Sequence, residues 1–574
     1  MKIIIGINTY HADSSACIIV DGKLIAAIEE ERINRKKHYS GYPIESIKEC
    51  LNIANKKDLE ITDIAFNTKP SSNLFSKGIF FLKNFTYKKN LFSERIKKKI
   101  NVKKQLIEKF KLNKDVKFHY IEHHLAHIAS GFYPSGFKDA SGLSIDGSGD
   151  FVTLAISECK NNKINITKKT NFPNSLGIFY HAMTQFLGFK NYGDEYKVMG
   201  LAAYGKPKYF DKIKDNLFIN SNKTFELNLD YFNHHKHNFK YIAEDSLVID
   251  EIFNKKLLKL FSLELIDNKN KDQFTKDFAA SVQKIYEFFF KKIIHKLSLN
   301  KFSKNLVFAG GCALNSSANR LITNDKSLFD NVYIPFAPGD NGGALGAAFI
   351  VSNRYNNEVQ NSKTPYLGKE FSNNDVLSIL KSNIYKNKLT YNFLINDAQL
   401  FNLAAKKISE GNVIGWFQGK MEFGPRALGN RSILADPRNP NMKNIINMKI
   451  KRRESFRPFA PSVLKEYQKD WFESDFINPY MSSLAIVKTD KQHLIPAVTH
   501  IDETARLQSV DLNNNYRYSK LINSFYNLTG VPIILNTSFN ENEPIVMKPQ
   551  EALDCLLRTD MDAIFINNYI VTKV

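Results

Sequence analysis

Two segments in the first half of the chain repeat one pattern: an apolar strand, a polar turn containing glycine, and a further strand. In the first segment, the strand Lys2–Asn8 is followed by Ser14–Val20 and Leu24–Ile28, which an Asp-Gly pair joins in a hairpin pattern. In the second, the strand Gly142–Asp146 runs into a glycine-rich turn and then into the strand Phe151–Ile156. The repeat predicts two related α/β halves that face each other across a cleft, where strand-end loops bind ligands.

The length and composition predict a folded protein of several domains. A chain of 574 residues is too long for one hydrophobic core, so about two to four domains are expected. Hydrophobic residues make up 43% and charged residues 24%, which excludes a largely disordered chain. No apolar run is long enough for a signal peptide or a membrane span, and the five cysteines form no CxxC pair. We therefore expect a cytoplasmic protein with reduced cysteines.

The formal net charge of +22 suggests nucleic acid as a partner, because basic surfaces bind phosphate. Much of the excess lies in Lys77–Lys117, where lysines alternate with apolar residues such as Ile96, Ile100 and Leu106. That spacing favours a helix whose lysines form a solvated face. An acidic acceptor or an anionic membrane surface is the alternative partner for this segment.

The run His123–His127 (HHLAH) is the strongest candidate for a metal site. If the run is helical, His123 and His127 lie at positions i and i+4 on one face, where two imidazoles can bind a single ion. Asp146, at the end of a predicted strand, is the natural third ligand. Imidazoles and carboxylates without cysteine suit Fe(II), Mn(II) or Zn(II) in a reactive site better than a closed structural zinc site. The alternative is a pair of ordinary histidines.

Two later strand ends add candidate ligands. The strand Leu306–Ala309 runs into Gly310 and Gly311, whose backbone N–H groups can approach a nucleotide closely, and a helix is predicted after Asn315. A following strand ends in a glycine-rich turn that contains Asp340 and precedes a helix of small residues. Asp340 either completes a site of two His and two Asp or caps that helix.

A polar stretch rich in Asn and Ser divides the chain. We predict a first domain of residues 1–355, a linker of residues 356–374 and a second domain of residues 375–574. In the second domain, helices are predicted near Val376–Leu380 and Ala398–Ile408. The run Val413–Phe417 is predicted as a buried strand.

The second domain contains an unusual set of cations. Its basic segments 424–432 and 449–461 combine Arg and Lys with Pro, Gly and aromatic residues, a pattern that fits a helix surface poorly. If the second segment is extended, Lys451 and Arg453 share a face and converge on one anion, since alternate residues of a strand point the same way. Further donors on strand ends and loops are Arg506, Asn536 and Ser538. The pattern predicts a pocket for a small dianion, with solvated basic turns as the alternative.

Taken together, these motifs resemble the NodU/CmcH family of O-carbamoyltransferases, which includes the nebramycin-type antibiotic carbamoyltransferases. The resemblance spans essentially the whole chain and involves several long motifs in the same order. The motifs are His11–Ala16, Glu29–Arg32, His123–His127, Gly193–Gly205, Gly424–Ser432 and Arg457–Ser462.

The resemblance implies a fold and a reaction. The fold is an N-terminal actin-like ATPase domain, similar to the tRNA threonylcarbamoyl-transferring protein TsaD, followed by a YrdC-like α/β domain. In the family, the YrdC-like domain converts carbamoyl phosphate and ATP into carbamoyl adenylate and pyrophosphate. A hydroxyl of the acceptor then attacks the adenylate in the metal-bearing domain.

The resemblance also implies roles for particular residues. Fe(II), or another divalent metal, would be held by His123, His127, Asp146 and Asp340. Carbamoyl phosphate would be bound by Arg426, Lys451, Arg453, Arg457, Arg506, Asn536 and Ser538. ATP with Mg(II) would involve Lys37, Glu195, Lys197, Gly310, Gly311 and Asn315. His11, at the end of the first strand, would be the base or would orient the acceptor, since a neutral imidazole can accept a proton near pH 7.

The expected partners are carbamoyl phosphate, ATP and a hydroxylated acceptor such as a sugar, a natural product or a nucleotide sugar, with a homodimer as one possible assembly. Nucleic acid is not expected, although a tRNA threonylcarbamoyladenosine-type enzyme is the alternative function that the basic charge favours. A sensory ATPase is disfavoured because the polar strand-end residues are present. A metalloprotease is excluded because HHLAH lacks the glutamate of HExxH.

Overall fold

A computed structural model describes residues 1–83, 101–236, 241–243, 247–262, 271–355 and 362–574. The chain divides into two compact units, Met1–Lys363 and Thr364–Val574. Residues 356–361 of the predicted linker lie outside the described residues. Within the described ranges, no helix is both long enough and apolar enough to cross a membrane.

The first unit contains twelve strands in its described residues. They are β1 (Ile3–Asn8), β2 (Ser15–Val20), β3 (Lys23–Glu29), β4 (Asp63–Phe66), β5 (Lys117–Tyr120), β6 (Asp139–Gly149), β7 (Val152–Lys160), β8 (Lys163–Asn171), β9 (Tyr241–Ala243), β10 (Leu247–Ile249), β11 (Asn305–Ala309) and β12 (Asn331–Tyr333). The helices are α1 (Glu31–Asn34), α2 (Ile44–Ile53), α3 (Leu74–Lys83), α4 (His123–Ser135), α5 (Leu176–Phe186), α6 (Glu195–Ala202), α7 (Phe210–Leu217), α8 (Lys255–Leu260), α9 (Lys271–Ser298), α10 (Ser316–Thr323) and α11 (Asp340–Asn353).

Two five-stranded sheets of the first unit have the same topology. One has the order β3-β2-β1-β4-β5 and the other β8-β7-β6-β11-β12. In each, three antiparallel strands are followed by two strands added in parallel. The predicted duplication is therefore present in the fold, including the hairpin of β2 and β3.

The helices α4 and α11 pack closely against each other, and this contact positions the metal-ligand candidates. A Cβ atom on Gly346 of α11 would lie 1.8 Å from the carbonyl oxygen of Ala126 on α4, so only glycine allows the observed approach. The small residues of Asp340–Asn353, which predicted this helix, are buried along most of its length. The first residue of α11 can thus reach the histidines of α4.

Part of the basic segment can be compared with its prediction. Residues 101–109 are helical, Val102 and Leu106 are buried against the first sheet, and Lys103 and Lys104 are exposed. In this part the lysines form a solvated face, as predicted. Residues 84–100 of the segment lie outside the described residues.

The second unit is built around an eight-stranded mixed sheet. The described strands of this unit are β13 (Leu389–Phe393), β14 (Ile414–Phe417), β15 (Arg431–Ala435), β16 (Ala460–Leu464), β17 (Ala485–Ile486), β18 (Thr504–Ala505), β19 (Gln508–Val510), β20 (Ile533–Ser538), β21 (Ala563–Ile566) and β22 (Tyr569–Lys573). The sheet has the order β13-β22-β21-β14-β15-β20-β16-β19, and β17 pairs with β18 separately. The helices are α12 (Asn373–Leu380), α13 (Asp397–Ser409), α14 (Met442–Ile446), α15 (Gln468–Trp471), α16 (Thr489–Gln492), α17 (Tyr516–Thr529) and α18 (Pro549–Arg558).

The predicted elements of the second unit are largely confirmed, with one error. The two predicted helices correspond to α12 and α13, and the predicted buried strand corresponds to β14. The extended conformation predicted around Lys451 is wrong. Asn447–Lys451 continues α14 as a π-helical turn, and Arg452 ends it with a φ of 42° in the left-handed region. Buried Ile446 and Ile450 hold this turn against the core, and π-helical turns are frequent at functional sites.

Candidate functional site

The four metal-ligand candidates converge in the first unit. His123 and His127 extend from α4, Asp146 lies in β6, and Asp340 begins α11. The two Nε2 atoms are 3.0 Å apart, and His123 Nε2 lies 3.2 Å from Asp146 Oδ2 and 3.4 Å from Asp340 Oδ1. His127 Nε2 lies 3.7 Å from Asp146 Oδ2 and 3.4 Å from Asp340 Oδ1.

These separations fit the coordination shell of one metal ion. With metal–ligand bonds of about 2.1 Å, neighbouring ligands lie roughly 3.4 Å apart in a tetrahedron and about 3.0 Å apart in an octahedron. The structure therefore brings together all four residues with the spacing that a divalent ion requires. Metal binding itself remains a prediction.

The electrostatics of the cluster also favour a cation. Burial lowers the pKa of His123, but hydrogen bonds that its ring donates to the carboxylates of Asp146 and Asp340 outweigh this effect and raise the pKa to about 10. Burial raises the pKa of Asp146, but contacts with His123 and His127 outweigh this effect and hold it well below its usual range. Two buried carboxylates facing two buried imidazoles need positive charge between them, which protons or a metal ion can supply.

His124, between the two candidate ligands, has a structural role. Its Nδ1 atom lies 2.9 Å from Ser144 Oγ and its Nε2 atom 2.9 Å from the carbonyl oxygen of Val152, so both ring nitrogens are occupied. These bonds fix α4 to the strands β6 and β7. The helix that presents the candidate ligands is thereby held against the strand that carries Asp146.

Gly149 leaves the space in which the His123 ring sits. A Cβ atom at position 149 would lie 2.0 Å from Cδ2 of that ring, whereas Gly147 in the same turn has nothing within 4 Å of its Cβ position. We expect Gly149→Ala to displace the ring and weaken metal binding by at least about tenfold, because ligand geometry tolerates shifts of only about 0.5 Å. Metal titration of the purified variant measures this effect. Gly147→Ala is the matched control and should bind metal normally; equal affinities of the two variants would contradict the assignment.

His11 lies beside the metal-ligand cluster. Its ring stacks on His123, with centroids 4.7 Å apart and planes inclined by 28°. The loop that carries it is held by Asn8, whose Nδ2 donates to the carbonyl oxygens of Ala12 and Asp13. This position suits a residue that handles a proton next to a metal site, and the role of His11 as base stays a prediction.

The Glu29–Arg32 motif links the first sheet to α11. Asn341, which follows Asp340, donates from Nδ2 to Glu29 Oε1 at 2.9 Å. Arg32 Nε lies 3.3 Å from Glu29 Oε2, and Arg32 also pairs with Glu31. Burial raises the pKa of Glu29 to about 7 despite the opposing charge of Arg32. The motif thus positions the start of α11, on which Asp340 lies.

The residues predicted to bind the nucleotide lie on several elements. Gly311 donates its backbone N–H to Asp146 Oδ1 at 3.0 Å, so this amide is directed at the metal-ligand cluster. Asn315 caps α10, because its Oδ1 atom accepts a hydrogen bond from the backbone N–H of Ala318. Lys197 Nζ pairs with Asp194 at 2.8 Å. Gly310 precedes Gly311 at the end of β11, and Lys37 is exposed after α1. Nucleotide binding by these residues stays a prediction.

Two imidazole–carboxylate pairs were not predicted from the sequence. His181 on α5 lies 2.5 Å from Glu195, through Nδ1 and Oε1. Burial raises the pKa of Glu195, but the charge of His181 outweighs this and lowers it. His38 Nδ1 lies 2.8 Å from Oδ1 of Asp13. Asp13 is two residues after His11 in the sequence. His181 carries no local sequence signal, whereas Asp13 lies within a motif already singled out.

In the second unit, three arginines form a cluster of like charge. Burial, together with the charges of Arg426 and Arg453, lowers the pKa of Arg506 well below its usual range. Among the described residues, Arg506 forms no salt bridge, and its buried Nε atom has no hydrogen-bond partner. Guanidinium groups that lie close together repel each other, which a bound anion would offset. The cluster is therefore a candidate anion site.

The remaining predicted ligands of carbamoyl phosphate lie on neighbouring segments but already have protein partners. Lys451 is almost fully buried, and its Nζ donates to the carbonyl oxygens of Ser538 and Asn540 at 2.6 and 2.8 Å. Asn536, at the end of β20, donates to Gln508 Oε1 at 3.0 Å. Arg457 pairs with Glu454 at 2.7 Å, and Arg453 stacks over Phe459 at 4.7 Å.

Glu422 holds the loop that carries Arg426. Its Oε1 atom accepts hydrogen bonds from the backbone N–H groups of Leu428 at 2.7 Å, Asn430 at 2.8 Å and Arg431 at 3.2 Å. Sequence reasoning missed this residue. The available signal was a lone carboxylate at the entry of a loop rich in small residues, where backbone N–H groups need an acceptor.

The comparisons with known proteins identify the family of the chain. Residues 3–349 match the family described as Carbamoyltransferase N-terminus, and residues 405–573 match the family described as Carbamoyltransferase C-terminus. The chain belongs to the carbamoyltransferase family and is a carbamoyltransferase. The predicted family membership is confirmed.

Its relatives include proteins of bacteria that match almost end to end. An uncharacterized protein of Synechocystis sp. is 38% identical, over 100% of this chain and 97% of its own length. Nodulation protein NolNO of Sinorhizobium fredii is 34% identical, over 99% of this chain and 80% of its own length. A solved structure of HypF from T. kodakarensis matches over 63% of this chain and 49% of its own length, with 13% identity and a TM-score of 0.32.

Proposed function

We propose that this carbamoyltransferase is ATP-dependent and transfers the carbamoyl group to a hydroxyl of a sugar or natural-product acceptor. In this proposal the first unit is an actin-like ATPase fold similar to TsaD, and the second is a YrdC-like domain. The repeated order of the two sheets in the first unit supports the former assignment. The observation that carries the functional proposal is the arginine cluster of Arg426, Arg453 and Arg506, because guanidinium groups that lie close together suit the oxygens of an anionic substrate.

The first step is the activation of carbamoyl phosphate. An alcohol attacks carbamoyl phosphate slowly, so conversion to carbamoyl adenylate divides one difficult transfer into two easier ones. Carbamoyl adenylate contains only the α-phosphorus of ATP and has lost the phosphate of carbamoyl phosphate. The activation reaction therefore consumes one water and releases both phosphate and pyrophosphate. The arginines bind the phosphate of carbamoyl phosphate, with Arg forks suited to its oxygens.

The second step transfers the carbamoyl group in the first unit. The acceptor oxygen forms a bond to the carbamoyl carbon, the bond from that carbon to the AMP oxygen breaks, and His11 takes the hydroxyl proton. His123, His127, Asp146 and Asp340 would hold a divalent ion, for which we propose Fe(II). When bound, such an ion supplies Lewis-acid stabilisation of negative charge. The stacking of His11 on His123 supports its place beside the reacting groups.

A pyrophosphate assay tests the proposal. We expect the purified protein to release pyrophosphate only when ATP and carbamoyl phosphate are both present, with one phosphate released for each pyrophosphate. Carbon-labelled carbamoyl phosphate should then label a hydroxylated acceptor from a screen of sugars and glycosides. Pyrophosphate release that does not depend on carbamoyl phosphate, or transfer without ATP, would refute the mechanism. Labelling of tRNA alone would favour the threonylcarbamoyladenosine-type alternative.

A further inference from the structure

The helix α3 exposes an unusual apolar stripe. Leu74, Phe75, Ile79 and Leu82 lie on one face of the helix, where 64%, 83%, 39% and 74% of their surfaces are exposed. Residues three, four, seven and eight apart share a helix face, so these side chains form one surface. We call these four residues the α3 stripe. Single exposed apolar residues are ordinary, but a contiguous apolar helix face marks an interaction site.

The opposite face of α3 is fixed to the protein. Phe80 packs against Phe151 and Phe172, with ring centroids 5.5 Å apart in each case. Lys77 is buried and donates from Nζ to the carbonyl oxygen of Pro70 at 2.9 Å. The inner face therefore docks α3 through aromatic packing.

The surroundings of the stripe are strongly basic. Lys169 Nζ lies 3.1 Å from Asn73 Oδ1, directly before α3, and the neighbouring Lys168 and Lys69 are exposed. In sequence, Lys77–Lys117 contains fourteen Lys and Arg and three Asp and Glu, a net charge of +11, which is half the excess of the whole chain. An apolar helix face among many lysines has the composition of helices that lie in the interface of an anionic membrane.

We propose that the α3 stripe binds the surface of an anionic lipid bilayer. The apolar side chains enter the boundary between headgroups and acyl chains, and the exposed Lys69, Lys168 and Lys169 contact the acidic headgroups. Charge decides between possible occupants, because a second copy of this chain docked through the same stripe would bring its own Lys69, Lys168 and Lys169 towards these lysines and be repelled. Such binding would hold the enzyme at a membrane surface without a membrane span.

Vesicle sedimentation tests this proposal with the full-length protein. We expect binding to vesicles of phosphatidylcholine with phosphatidylserine, and little binding to vesicles of phosphatidylcholine alone. The double variant Phe75→Ser/Leu82→Ser should bind the anionic vesicles at least about tenfold more weakly, since it removes most of the exposed apolar area. Raising the salt from about 0.1 M to about 0.5 M should weaken binding by the wild type.

A matched control uses Leu299→Ser/Ile395→Ser, which removes two side chains that are 63% and 80% exposed outside the stripe. This variant should bind vesicles like the wild type, and both variants should keep carbamoyl-phosphate-dependent pyrophosphate release if they are folded. Absence of wild-type binding, or equal loss in the two variants, would overturn the proposal. A wild-type dimer that Phe75→Ser/Leu82→Ser converts to monomers, without vesicle binding, would assign the stripe to a second copy instead.

Discussion

Arg506→Met is expected to make the protein more stable and to weaken its binding of carbamoyl phosphate. In the absence of anions, removal of one guanidinium relieves the repulsion from Arg426 and Arg453 and the cost of a buried charge, so the melting temperature should rise. The same change removes charge-assisted hydrogen bonds to carbamoyl phosphate, worth about 1.5–3 kcal/mol. The KM for carbamoyl phosphate in pyrophosphate release should therefore rise by roughly 10- to 100-fold. Thermal melts and initial rates measure the two effects.

Arg558→Met is the control for this prediction. Arg558 is exposed and pairs with Glu543 at 2.8 Å, so its loss should lower stability slightly and leave the KM unchanged. Inorganic phosphate should also raise the melting temperature of the wild type more than that of Arg506→Met, since ligand binding stabilises the folded state. If Arg506→Met is destabilised and keeps its KM, Arg506 belongs to the fold and not to an anion site.

His127→Ala is expected to remove the metal and the transfer reaction together. The imidazole is fully buried, and its Nε2 atom lies within 3.7 Å of the three other candidate ligand atoms. Loss of one of four ligands should reduce the metal content of the purified protein from about one ion to near zero and slow carbamoyl transfer by at least about a thousandfold. Elemental analysis by mass spectrometry measures the metal.

His119→Ala is the matched control for the metal prediction. Like the candidate ligands, His119 contacts a carboxylate, at 2.7 Å from Asp63, but it lies outside the cluster. Its replacement should leave the metal content unchanged. Unchanged metal in His127→Ala, or equal loss in both variants, would contradict the ligand assignment.

Sequence reasoning located the metal-ligand candidates because their geometry follows from regular elements. The spacing of His123 and His127 fixes their common face once α4 forms. Asp146 lies near the end of β6 and Asp340 follows β12, and these strands run in the same direction in one sheet. Only the exact distances needed the structure. They depend on the close contact of α4 with α11 at Gly346, which no local pattern reveals.

The arrangement around Lys451 could not be predicted in the same way. An alternating pattern of cations suggested an extended segment, but packing of Ile446 and Ile450 into the core imposes a π-helical turn. Lys451 consequently points to Ser538 and Asn540, and the cation that accompanies Arg453 is Arg506, distant in sequence. Glu422 was missed although the backbone N–H groups that donate to it lie only six to nine residues later. The pair of His181 with Glu195 was missed because the two side chains lie on different helices. Tertiary contacts of this kind leave no periodic trace in the sequence.

The central claim is that one chain contains two separate half-reactions, activation in the second unit and transfer in the first. The most direct test measures pyrophosphate and labelled carbamoyl product side by side in His127→Ala and Arg506→Met, in a single turnover. We predict that His127→Ala still forms about one pyrophosphate per enzyme with carbamoyl phosphate but no labelled product. At carbamoyl phosphate concentrations well below the KM of the wild type, Arg506→Met should form both products in parallel but roughly 10- to 100-fold more slowly. Loss of pyrophosphate in His127→Ala, or labelled product without pyrophosphate in Arg506→Met, would contradict the claim.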